Sequence, residues 1–321
     1  MSLLNSVLTY GRMIKFSHSI FALPFAFSGA ALAAAERGIS LAQISWIALA
    51  MVGARSAAMG FNRLADRHLD AANPRTAGRE MPRGVVSPMA VALYVALSSA
   101  ALIFAAWRLN PLCLYLSPLV LGVLFSYSLC KRFTWASHLV LGLSLGGAPL
   151  GAWIAVTGGF AWSPAILGLA VLLWVAGFDI IYACQDFEHD ISAGLHSIPA
   201  RFGIEPALLI ARFLHVLAVV AMLLVGRSAG LEIVYWIGVG AIAALLLYEH
   251  RLVRSDDLTR VNMAFFNLKN PVINKSYYCM LLKSRRNHNH FKHFKGIDSS
   301  IWCFSTDEHK LFLYSLSIKV K

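Results

Sequence analysis

Charged residues are scarce in this chain. They make up 14% of 321 residues, against 58% hydrophobic ones. Soluble domains carry roughly 25% charged and 45–50% apolar residues. The deficit excludes an ordinary water-exposed globule and points to a chain whose solvent is largely lipid. Paired cysteines are also missing. The five, at 113, 130, 184, 279 and 303, include no C-x-x-C spacing, which argues against a disulfide framework or a zinc site. No apolar run alternates with period two, as the strands of a membrane barrel would. No small-residue cleavage site follows the first apolar stretch, so it reads as a span rather than a signal peptide.

What is present is a series of apolar runs near the roughly 20 residues that a spanning helix needs. They lie at 14–35, 41–61, 88–107, 112–129, 136–157, 164–184, 207–226 and 231–249. The expected fold is an all-α, polytopic transmembrane bundle with eight spans. Numbering the connections alternately puts Arg12, Lys15, Arg63, Arg67, Arg75, Arg79, Arg83, Lys131, Arg132, Arg201, Arg251, Arg254 and Arg260 on one side. Only Arg37, Arg108 and Arg227 fall on the other. By the positive-inside rule the N-terminus and the two long loops, 62–87 and 185–206, face the cytoplasm. The expected location is the inner, cytoplasmic membrane.

Both long loops begin with acids at helical spacing. Asn62, Asp66 and Asp70 stand at i, i+4 and i+8, within about 80° of one another on a helix. Asp186 and Asp190 repeat the i, i+4 pattern, and Tyr182 and Asp179 continue that face into the span. Stripes of oxygen ligands suit magnesium, whose shell is completed by water and phosphate. One such stripe alone is most simply a solvated helix end; two, both opening cytoplasmic loops, point to a site. Asp179 sits deep in an apolar helix, a costly position that marks a functional candidate.

Cations follow the acids. Arg75, Arg79 and Arg83 lie in the first long loop, and Tyr127 with Lys131 forms Y-x-x-x-K. A diphosphate calls for such partners, arginine as a fork and lysine as a point charge. Topology alone also explains cytoplasmic cations. Arg55 lies inside the second span and needs a partner: a substrate carboxylate, or an internal acid such as Asp179. His18, His138 and His215 read as hydrogen-bonded packing residues. His68, His189 and His196 flank the stripes, and none has metal-ligand spacing with another, so no zinc is expected.

In order, N-x-x-x-D-x-x-x-D, Y-x-x-x-K and D-x-x-x-D resemble the UbiA superfamily of intramembrane prenyltransferases. Ile14-Lys15-Phe16-Ser17-His18, Phe21-Ala22-Leu23-Pro24 and Gly194-Leu195-His196-Ser197-Ile198-Pro199-Ala200-Arg201-Phe202-Gly203 look like its 4-hydroxybenzoate polyprenyltransferase branch. The resemblance covers about residues 10–268. It implies magnesium-dependent transfer of a polyprenyl group from its diphosphate to an aromatic acid in quinone synthesis. Asn62, Asp66 and Asp70 would hold one magnesium cluster, and Asp186 and Asp190 the other. Arg79 and Lys131 would hold phosphate oxygens, Tyr127 would sit near the departing group, and Arg55 would meet the acceptor's carboxylate. Phe61, Tyr127 and Phe178 are candidates to stabilise an allylic cation. A naphthoate-type menaquinone precursor or haem is the alternative acceptor. A transporter with an acidic pathway is the alternative class, disfavoured because the acids keep to one face.

The expected partners are thus polyprenyl diphosphate, an aromatic acid and membrane lipids. Nucleic acid is not among them, because the positive charge is concentrated in a tail. Residues 269–321 hold 10 Lys/Arg against 3 Asp/Glu and contain no 20-residue apolar run. The resemblance implies a ninth helix beginning near Asn262. The abrupt change at Lys269-Asn270-Pro271 is read as a frameshifted or misassembled end after a 1–268 transmembrane domain. A native tail touching anionic lipid is the alternative.

Overall fold

The computed structural model describes Met13, residues 19–259, Val261 and the backbone of 301–307 and 310–316. Long helices dominate: α1 (Ser19–Arg37), α2 (Leu41–Ala65), α4 (Pro88–Leu109), α5 (Pro111–Cys130), α6 (Ser137–Thr157), α7 (Trp162–Ala183), α10 (Ile204–Ser228) and α11 (Ile233–Leu252). Three short helices sit in the long loops: α3 (Arg67–Ala72), α8 (Phe187–Ser192) and α9 (Ile198–Phe202). Among the described residues, α2, α4, α5, α6, α10, α11 and a segment starting with α7 are long and apolar enough to cross a membrane. The 19-residue α1 takes the place of the first expected span. The chain is a multi-pass membrane protein.

Boundaries follow local chemistry. Ser40 caps α2 in a reciprocal capping box with Gln43. Ser87 caps α4 and Asn110 caps α5, each followed by proline at the first helical position. Asn110 also donates from its amide to the Ile154 carbonyl, 2.8 Å away, tying that turn to α6. Gly158 closes α6 in the left-handed region at φ 72°.

Helix α7 is the axis of the bundle, packed between α6 and α10, while α2 packs along α4 and α1 along α6. Trp174 meets Phe25 and Phe178 edge-on in the main core. Outer faces stay apolar: Leu209, Phe213, Val216 and Val220 form an exposed i, i+4, i+7, i+11 stripe on α10, the pattern of a lipid-facing surface.

Two features differ from expectation. The end of the chain contains an antiparallel hairpin, β1 (Ile301–Asp307) with β2 (Lys310–Leu316), so all-α describes the bundle and not the tail. Its strands are rich in aromatic and aliphatic residues that favour a pleated conformation. Second, Phe178, a candidate for stabilising a cation, is buried against Trp174 and His215 in the main core. The expected ninth helix lies outside the described residues, as do His18 and the residues around the Lys269 boundary.

Helices α6 and α7 meet through small residues, as membrane helices do when backbones approach closely. A Cβ on Gly168 would collide with the Gly146 carbonyl oxygen, whereas one on Gly147 would meet open space. Gly168→Leu is therefore expected to cost about 1–3 kcal/mol through overpacking, and Gly147→Leu little. Thermal unfolding of the two variants in detergent checks this; equal melting temperatures would refute the contact.

Candidate active site

The first acidic stripe does not run along one continuous helix. Helix α2 stops at Ala65, with Asp66 as its C-cap at φ −93°, ψ 9°, and α3 restarts at Arg67. The i, i+4 contacts survive the break: the Asn62 amide donates to Asp66 Oδ2 at 2.9 Å, and the Asp70 N–H to the Asp66 carbonyl at 2.7 Å. The second stripe breaks similarly, with a single 3₁₀ turn at Cys184–Asp186 before α8.

Arginines meet the acids. Arg79 donates to Asp70 Oδ1 at 2.6 Å, and Arg63, itself buried, stands 3.7 Å from Asp70 Oδ2. Arg132 donates to the Ala65 carbonyl at 2.6 Å and reaches Asp66 Oδ1 at 3.3 Å. Arg75 crosses from the first long loop to the second stripe. Its Nε and one terminal nitrogen grip both oxygens of Asp186 at 2.9 and 2.6 Å, and the other terminal nitrogen donates to the Tyr182 hydroxyl at 2.8 Å. The Asn73 side chain accepts the Arg75 N–H at 2.9 Å, an Asx turn that aims the arginine. This fork brings the two acidic stripes to one end of the bundle.

The charges act on one another. Burial pushes the Asp66 carboxyl above its ordinary value; the hydrogen bond from Arg132 opposes that, and the charge of Asp70 adds to it. Burial would lower the Arg75 guanidinium, but the charge of Asp186 and then Tyr182 outweighs it and leaves Arg75 raised.

The other expected residues are placed as follows. Lys131 caps α5, lends its positive charge to Asp66, and accepts the His196 N–H on its carbonyl at 2.7 Å. Tyr127 lies within electrostatic reach of Asp179, Asp66 and Arg63. Phe61 stacks on Phe125 at 4.5 Å between α2 and α5. Asp179 binds His138, with Nδ1 to Oδ2 at 2.7 Å, rather than Arg55. Arg55 Nε is buried without a hydrogen-bond partner, and Arg55 enters no ion pair among the described residues. Arg79, expected on phosphate, is on Asp70.

No three His, Cys, Asp or Glu side chains converge on one point among the described residues; Asp66, Asp70 and Asp186 are each paired with arginine. The donor set nevertheless fits a hard cation. Asp70 Oδ2 and Asp190 Oδ2, one on each stripe, are buried carboxylate oxygens without a hydrogen-bond partner. Asp190 is only 2% exposed. Sequence spacing missed Arg63, Arg75 and Arg132 as partners of the acids, since a loop arginine reads equally well as a topology signal. The N-P-R turn before Arg75 was the available hint.

Residues 22–270 match the profile of the family described as the UbiA prenyltransferase family. A Marinobacter nauticus protein named 4-hydroxybenzoate octaprenyltransferase is 32% identical over 235 residues, covering 73% of this chain and 80% of that one. A protein of the same name from Xanthomonas campestris pv. campestris is 37% identical over 202 residues, 62% of this chain and 66% of the relative. The apo structure of a UbiA homologue from Aeropyrum pernix K1 is similar at a TM-score of 0.75 and 34% identity, covering 83% of this chain and 97% of that one. A UbiA homologue from Archaeoglobus fulgidus bound to DMAPP and Mg2+ has a TM-score of 0.65 at 19% identity, covering 86% and 99%, and shares the fold.

The raised Asp66 carboxyl carries a pH signature. A carboxyl raised in the folded state contributes stability that is complete below the ordinary value, about 3.9. That contribution is lost as pH rises through the raised value. Metal-free protein is expected to lose melting temperature from this group as pH rises above about 4, and Asp66→Asn to flatten that part of the slope. Unfolding in chelator-treated detergent at several pH values measures it; an unchanged slope in Asp66→Asn would contradict it.

Proposed function

Because the chain belongs to the UbiA prenyltransferase family, we propose that it transfers a polyprenyl group from its diphosphate to 4-hydroxybenzoate or a close aromatic acid, in quinone synthesis. The acceptor is inferred from relatives named 4-hydroxybenzoate octaprenyltransferase. The observation that carries the proposal is the Arg75 fork, which sets two acidic stripes and their arginines around one polar end of an apolar bundle. On the positive-inside assignment that end faces the cytoplasm, in the inner membrane.

Magnesium is the proposed cofactor, supported by a buried carboxylate oxygen without a hydrogen bond on each stripe and by the Mg2+ bound in the Archaeoglobus fulgidus relative. Asn62, Asp66 and Asp70 would hold it on one side, and Asp186 and Asp190 on the other. When bound it would offset charge building on the leaving diphosphate. Arg75 and Arg79, paired with Asp186 and Asp70 without the ion, would be available to phosphate oxygens once those carboxylates held it, as would Lys131. Tyr127 and Phe61 present aromatic surface next to the acids, where a cation left on the prenyl chain gains from ring faces. Arg55, two turns deeper on α2 than Asn62, has a buried N–H without a partner and suits the carboxylate of the aromatic acid. The close-packed helices keep water from quenching the cation. The prenyl tail would leave sideways into the bilayer.

Membranes given magnesium, a labelled polyprenyl diphosphate and 4-hydroxybenzoate should form a lipid-soluble product. Chelation should abolish it, and Asp66→Ala and Asp186→Ala should each lower kcat at least about a hundredfold. Activity that survives both substitutions would end the metal-centred reading. A separate measurement addresses the acceptor. Arg55→Ala should raise the KM for 4-hydroxybenzoate about tenfold or more, the loss of a charged hydrogen bond of about 1.5–3 kcal/mol, and leave the KM for the diphosphate nearly unchanged. An equal rise in both constants would place Arg55 elsewhere.

A further inference from the structure

His138 lies on α6, is a member of neither acidic stripe, and is fully buried. Its ring joins two parts of the protein. Nδ1 is 2.7 Å from Asp179 Oδ2, and Nε2 accepts the backbone N–H of Ile198 at 3.3 Å. An amide N–H can only donate, so Nε2 must offer its lone pair and Nδ1 must carry the ring proton. The ring therefore donates to the carboxylate, and a directed chain runs from Ile198 N–H through His138 to Asp179. Ile198 is the first residue of α9, inside the Gly194–Gly203 segment, whose sequence is distinctive and has no role in the reaction described above. The same segment is fastened nearby by Leu195 N–H on the Asp190 carbonyl at 2.8 Å and His196 N–H on the Lys131 carbonyl at 2.7 Å. Ser197, fully buried, caps α9 through the Ala200 N–H. Three backbone N–H groups, at residues 195, 196 and 198, thus dock on Asp190, on Lys131 and, through His138, on Asp179.

The geometry points to His138 as a positioning residue: it fixes the Asp179 carboxylate and, with the same ring, latches the 194–203 segment, whose neighbouring N–H groups dock on Asp190 and Lys131. The inference rests on the prenyl-transfer reading for what the fixed groups do, but the latch itself is a matter of hydrogen bonds. Apolar packing alone would not need a ring with this polarity, since a leucine fills a similar volume and leaves both partners unmet. Glutamine can restore both bonds, donating through its amide nitrogen and accepting through its oxygen.

The test uses the full chain in detergent and reads hydrogen–deuterium exchange alongside kinetics. In His138→Leu, amide protection across 195–202 should fall at least tenfold, and kcat for 4-hydroxybenzoate prenylation should fall about tenfold or more, since small misplacements in a site cost this much. His138→Gln should recover both to within about threefold. Unchanged protection in His138→Leu, or a His138→Gln variant as impaired as the leucine one, overturns the latch. Should His138→Leu fail to fold, Asp179→Asn decides: the amide oxygen still accepts from Nδ1–H, so protection of 195–202 should persist while kcat falls. Loss of protection there, or an unchanged kcat, refutes the assignment. If the wild-type chain does not prenylate 4-hydroxybenzoate, the prenyl-transfer reading fails, and the exchange comparison between His138→Leu and His138→Gln still decides the latch.

Discussion

A carboxylate taken out of water costs several kcal/mol unless a charge or a set of donors meets it. At the polar end of this bundle that requirement shapes the backbone. Asp70 sits between Arg63 and Arg79, Asp66 faces Arg132, and Asp186 is forked by Arg75. The Arg63 pair spans the break between α2 and α3, and the others join segments across a loop or far apart in sequence. Arg75 pins the loop after α3 to the end of α7, and Arg132 pins the end of α5 to the end of α2. Acids that look like solvated helix ends in isolation thus act as the anchors that fold the long loops over the bundle.

The same pairing bears on the proposed chemistry. A diphosphate arriving alone would meet a site whose positive charge is already engaged by carboxylates. On the proposed reading, cations that took up the carboxylates would leave the arginines to the phosphate oxygens, so metal and diphosphate would favour each other. Among the described residues Asp190 pairs with no arginine, and its Oδ2 is buried without a hydrogen bond. It is the group with most to gain from a cation, because an unmet buried oxygen bears the full desolvation penalty.

Much of this was legible in the sequence, for physical reasons that differ from part to part. Apolar runs marked the helices closely: the expected 137-region span at 136–157 is Ser137–Thr157, and that at 112–129 is Pro111–Cys130. Lipid leaves little choice of structure, so hydropathy carries unusual weight. The acids were found because i, i+4 spacing is a local property. Their partners were not, because the reach of Arg75 to Asp186 spans 111 positions and depends on how the bundle brings the loop after α3 to the end of α7. His138 read correctly as a hydrogen-bonded residue, but no spacing rule could name Asp179 and Ile198 as its partners. Phe178 was misjudged because an aromatic next to an acid motif can face either the site or the core, and the helix face decides.

Helix α7 explains why these distances can be held. It carries Asp179, Tyr182 and the approach to Asp186, and it is gripped on both sides by contacts that admit no side chain. Gly168 meets Gly146 of α6, and a Cβ on Gly177 would come within 2.5 Å of the His215 ring of α10. In lipid, helices gain little from burying apolar surface against each other, so close backbone contact must supply the fit. Such contacts fall off steeply with distance, which makes the register of α7 against its neighbours stiff. A slide of α7 would move the Asp179 carboxylate off His138 and Asp186 off Arg75 together. The glycines in the membrane and the charges at its surface therefore maintain one geometry, the first by excluding alternatives and the second by selecting the loop positions that complete it.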